Sequence, residues 1–123
     1  MSDRVHVSGL EAYCIIGTNP WEREVKQKVR VDLEFDVDCR PAGRSDDLRD
    51  ALDYRAAAKG VRTLVEDSAF QLVEALAEAI ALDLLNGFPA AEAVRVRVAK
   101  PGAVRWAENV GVEILRRRED APS

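Results

Sequence analysis

Four residues along the chain have side chains suited to proton transfer or polar recognition: Glu22, Tyr54, Glu74 and Lys100. Glu74 lies one helical step from Phe70 and from Ala77, so it borders an apolar stripe and its carboxylate is expected to be partly desolvated. The competing reading is a helix-face glutamate favoured by the N-terminal dipole. Lys100 continues the parity of Val94, Val96 and Val98, which starts its stem on the buried face before Pro101-Gly102 turns the chain. A lysine whose ammonium simply reaches water along that stem is the alternative. Tyr54 opens a helical pattern on its apolar side, where a core tyrosine with a satisfied hydroxyl is the usual occupant. Glu22 follows Trp21 in a turn, where an exposed acid is ordinary. Other chemistries lack their residues. His6 is the only histidine and sits on the polar side of a strand, and no G-x-x-x-x-G-K loop is present. Cys14 and Cys39 lie far apart without ligand spacing, so both read as free thiols and no metal site is expected.

These residues need elements to hold them. Val5 and Val7 alternate with polar neighbours as in a half-buried strand, and the pattern runs on loosely to Ile16 before the turn Gly17-Thr18-Asn19-Pro20. The clearest alternation follows, with Val29, Val31, Leu33, Phe35, Val37 and Cys39 on one face and charged residues from Lys28 to Asp38 on the other. Residues 40–53 read as a connection with room for one helical turn. Tyr54, Ala57, Ala58, Val61, Leu64 and Val65 then recur at helical steps, with Asp53 or Asp50 available as cap. A second helix is expected from a capping box at Ser68 and Gln71, with the stripe Val73, Leu76, Ala77, Ile80 and Leu84 and an end at Asn86-Gly87. Two short strands close the order, carrying Val94, Val96 and Val98, then Val110, Val112 and Ile114. Arg116, Arg117 and Arg118 are expected to be solvated.

Strand, strand, helix, helix, strand, strand predicts an α+β fold: a four-stranded antiparallel sheet with two helices on one face. Its open edges invite pairing with another chain. The 123 residues, 47% of them hydrophobic and 33% charged, suit one domain, taken as residues 1–118 with a polar tail over 119–123. A net charge of −4 argues against nucleic acid as a partner. With no membrane-length apolar run and no signal-like start, the chain is expected to be cytoplasmic and to have no membrane partner.

From about Val5 to Arg116 the chain resembles the dihydroneopterin aldolases of folate biosynthesis, members of the tunnelling-fold (T-fold) family. The resemblance is carried by Ile16-Gly17, Trp21-Glu22-Arg23 and Gln27, Ser45-Asp46-Asp47, Leu52-Asp53-Tyr54, Phe70-Gln71-Leu72-Val73-Glu74, Lys100-Pro101-Gly102-Ala103-Val104 and Asn109-Val110-Gly111-Val112. Many members carry Tyr or His followed by His-Gly where this chain has Cys14-Ile15-Ile16-Gly17. The resemblance implies a homotetramer or homo-octamer with sites between subunits. It also implies a metal-independent lyase, without cofactor, acting on a small pterin. By the family pattern Glu74 and the backbone at Val73 bind the pterin edge, and Lys100 is the acid/base group. Tyr54, also assigned to catalysis, and the Leu52 backbone come from a neighbouring subunit, while Glu22 is a polar contact near Lys100. Arg105-Trp106-Ala107 and Ala51-Leu52-Asp53-Tyr54-Arg55 look somewhat like the related dihydroneopterin triphosphate epimerase, which leaves that activity as an alternative. A non-catalytic pterin- or purine-binding oligomer is another.

Overall fold

The computed structural model describes residues 3–120. Four strands, β1 (Arg4–Cys14), β2 (Gln27–Asp36), β3 (Ala93–Pro101) and β4 (Asn109–Arg117), form one antiparallel sheet in the order β1-β2-β3-β4. Between β2 and β3 come a short helix α1 (Arg40–Ser45) and two longer ones, α2 (Tyr54–Asp67) and α3 (Val73–Gly87). Helix α2 packs on β1, and α3 packs on β3 and β4. The expected α+β architecture with two helices over one face is therefore present. The core between the layers is made by Val29, Val31, Leu33 and Phe35 with Val94, Val96 and Val98 from the sheet, against Ala57, Val61 and Val65 of α2 and Leu76, Ile80 and Leu84 of α3. Burying such side chains supplies roughly 1.5–3 kcal/mol each before entropy is counted.

The loose alternation of the first strand has a local cause. In β1, Val7 pairs with Leu33 and Leu10 with Val31, so two residues, Ser8 and Gly9, oppose Asp32 alone. Gly9 adopts φ +71° in this bulge, and its N–H donates to Asp32 Oδ1 at 2.7 Å. The extra residue switches the inward parity from Val5 and Val7 to Ala12, Cys14 and, beyond the strand, Ile16.

Four expectations need correction. Strand pairing in β2 stops at Asp36 rather than continuing to Cys39, although Val37 remains buried. Ser68 does not cap α3; it closes α2, its hydroxyl donating to the Val65 carbonyl at 2.7 Å, and α3 begins at Val73 with Leu72 at its cap position. Arg116 and Arg118 are not free in solvent: Arg116 pairs with Glu78 of α3, and the Arg118 guanidinium donates to the carbonyls of Leu85, Phe88 and Ala91. Tyr54 is 59% exposed rather than part of the core. The Asp53 cap is as expected, its carboxylate accepting from the Ala56 N–H at 3.0 Å. Residues 121–123 of the expected tail lie outside the described residues. No helix among the described residues is long and apolar enough to cross a membrane.

Candidate active site

Antiparallel pairing brings the C-terminal ends of β1 and β3 together with the start of β2, because Cys14 opposes Gln27 and Arg30 opposes Ala99. Lys100, one residue before the end of β3, therefore faces the turn that joins β1 to β2. That turn contains a short 3-10 helix, Pro20–Arg23, and its Glu22 is buried at 6% exposure, contrary to the exposed acid expected there. The burial is matched by donors. Lys100 Nζ donates to Glu22 Oε2 at 2.7 Å, and Gln27 Nε2 to the same oxygen at 3.2 Å. The Asn19 N–H and Nδ2 donate to Oε1 at 3.1 and 3.0 Å. Lys100 beside it, with Gln27 and Asn19, holds the Glu22 carboxyl down at about 2 against the cost of burial.

Backbone geometry makes room for this pair. Gly17 sits at φ +126°, and a Cβ there would lie 2.2 Å from Glu22 Cδ, so glycine is required both by conformation and by space. Gln27 Nε2 also donates to the Ile16 carbonyl at 2.7 Å, tying the start of β2 to the turn. Beneath it, Cys14 is fully buried. Burial pushes its thiol up, while the Ser68 hydroxyl and the nearby Lys100 act in the opposite direction. Cys14 and Cys39 are both free thiols.

Ser68 places the end of α2, and with it the segment leading into α3, beside this turn. The first turn of α3 supplies Val73, half-buried, and Glu74, exposed rather than partly desolvated as expected. Arg23 spans the gap: its guanidinium donates to the carbonyls of Gly17 at 3.0 Å, Phe70 at 3.1 Å and Ala69 at 2.5 Å. Glu22, Lys100, Val73 and Glu74 thus gather at one end of the sheet.

Tyr54 does not join them. It starts α2, whose other end lies at Ser68, and 14 helical residues span roughly 20 Å at about 1.5 Å per residue. Leu52, 6% exposed, lies two residues before that far end of α2. One chain therefore presents two separated half-arrangements. Asn19, Arg23 and Gln27 join the site without any role expected of them from the sequence. The spacing of Asn19 and Glu22, an N-x-x-E capping pattern, was the available signal that Glu22 turns inward. Among the described residues, no group of three or more His, Cys, Asp or Glu side chains could hold a metal ion.

The family model described as FolB, dihydroneopterin aldolase, matches residues 5–115. The chain belongs to the dihydroneopterin aldolase family. A dihydroneopterin aldolase of Escherichia coli (strain K12) is 42% identical over 114 residues, covering 93% of this chain and 93% of its own. A FolB crystal structure from Vibrio cholerae superposes with a TM-score of 0.91 at 44% identity, covering 94% of this chain and 98% of that one. The E. coli dihydroneopterin aldolase crystallised with neopterin gives a TM-score of 0.89 at 42% identity, covering 93% and 98%. The family expected from the sequence stands, and with it a lyase that acts on dihydroneopterin. These relatives do not favour the epimerase alternative.

Proposed function

We propose that this aldolase-family chain cleaves dihydroneopterin to 6-hydroxymethyldihydropterin and glycolaldehyde by general acid/base catalysis, with Lys100 moving the proton. The observation that carries the reading is the Lys100–Glu22 pair, its carboxylate buried, at the same sheet end as the first turn of α3, where Glu74 stands exposed. A pterin edge offers a ring N–H and an exocyclic amine side by side, so one carboxylate can accept two parallel bonds. Glu74 and the Val73 backbone take that edge, a role in keeping with the neopterin bound by the E. coli relative. Glu22 holds the Lys100 ammonium and contacts the substrate side chain.

In the reaction the hydroxyl on the second side-chain carbon loses its proton and becomes a carbonyl, while the bond to the first side-chain carbon breaks. That electron pair enters the ring imine of the dihydropterin, giving an enamine, which is protonated at the first carbon. The substrate thus provides its own electron sink, and the proposed reaction requires neither metal nor organic cofactor. Tyr54, with the Leu52 backbone, reaches the site from a neighbouring subunit of a homotetramer or homo-octamer. The roughly 20 Å length of α2 supports this division.

The test follows glycolaldehyde release from dihydroneopterin in the presence of a chelator, for the unmodified chain and for Lys100→Ala. Cleavage that survives chelation and falls about 10²- to 10⁴-fold in the variant is expected. Activity abolished by chelation and restored by zinc would contradict the metal-free sink, and near wild-type turnover in Lys100→Ala would remove the lysine from the mechanism. With dihydroneopterin triphosphate as substrate, diastereomer exchange without glycolaldehyde would favour the epimerase.

A further inference from the structure

Arg23 follows Glu22 in a four-residue 3-10 helix, and at three residues per turn the two side chains diverge by about 120°. Glu22 goes to Lys100. Arg23, half-buried, goes the other way, to the carbonyls of Ala69 and Phe70 just ahead of α3 and back to Gly17 in its own turn. No backbone N–H among the described residues bonds either the Ala69 or the Phe70 carbonyl. The guanidinium is therefore the polar tie between the segment that bears Glu22 and the segment that leads, four residues after Phe70, to Glu74. Its rigid fork can serve three acceptors at once, which an ammonium on a flexible stem cannot do with the same geometry.

Resting on the roles proposed for Lys100 and Glu74, we infer that Arg23 is a positioning residue, setting the span between the Glu22–Lys100 pair and the Glu74 anchor. A substrate held at its ring edge by Glu74 must place its side chain at Lys100. A misplacement of about 1 Å between the two ends can cost about 100-fold in rate without loss of either contact. A ligand that reaches only one end does not sense the span.

The test compares Arg23→Lys and Arg23→Ala with wild type, using Lys100→Ala and Glu74→Gln as references, with folding verified by thermal melting. The probes are dihydroneopterin for kcat and KM, and 2-aminopyrimidin-4-one, a fragment carrying only the ring edge, for affinity. Both Arg23 variants should lose about 10- to 100-fold in kcat while binding the fragment within about twofold of wild type. Low-millimolar guanidinium should restore part of the turnover of Arg23→Ala and none of that of Lys100→Ala; a merely destabilised protein would lose further activity. If Arg23→Ala does not fold, Arg23→Lys decides by the same split between kcat and fragment affinity. Wild-type kcat in the Arg23 variants, or fragment affinity falling in parallel with kcat, would overturn the inference provided the two references behave as proposed. If Lys100→Ala and Glu74→Gln themselves match wild type, the roles assigned to the site have failed and the inference falls with them.

Discussion

The Glu22 carboxylate is the most strongly perturbed group in the site. Its pKa is lowered to about 2, first by Lys100 and then by Gln27 and Asn19. A carboxylate depressed on folding stabilises the native state above its unfolded pKa, here 4.5, and that contribution is lost as pH falls through the folded value. The window therefore runs from about pH 4.5 down to about 2. Urea midpoints measured across that window should fall more steeply for wild type than for Glu22→Gln, which lacks the group; parallel curves would contradict the pairing. Nothing in the apolar pattern announced this acid, because a turn has no period from which to read burial. Lys100 was legible because strand parity points its stem inward. Glu74 was located on the correct helix, but its exposure in one chain follows from α3 starting at Val73 rather than near Ser68.

Among the elements, those with sustained periodicity were read most reliably. The α3 stripe of Leu76, Ala77, Ile80 and Leu84 is buried as expected, and so are Ala57, Val61 and Val65 of α2. The errors fall where one residue can serve two ends: Ser68 fits an N-cap pattern yet bonds back to Val65, closing the helix before it. Arg118 is another case, since a run of three arginines looks solvated until α3 is seen to end beside it. Its guanidinium reaches the carbonyls of Leu85, Phe88 and Ala91, where a helix C-terminus favours a cation. Arg118→Ala should lower stability by about 1–2 kcal/mol, the figure for a charge-assisted cap discounted for its exposure. A urea unfolding curve checks this, and kcat should hold because α3 carries Glu74 at its opposite end. An unchanged midpoint would show the cap to be idle.

For the whole molecule, the decisive feature is the length of α2. It separates Tyr54 and Leu52 from Lys100 and Glu74 by a helix of 14 residues, while β1 and β4 leave both edges of the sheet open. The sequence carried both facts in outline, in the order and lengths of its elements, but the partner across an edge leaves no periodic trace. In the proposed reaction a working site combines Lys100 of one chain with Tyr54 of another. Its most direct test is complementation. Lys100→Ala and Tyr54→Phe, each first verified to be impaired, are denatured together and refolded so that chains mix, with hybrids verified by native mass spectrometry. Glycolaldehyde release well above either parent is predicted, since some interfaces then pair an intact lysine with an intact tyrosine. Verified hybrids as inactive as both parents would contradict the shared site.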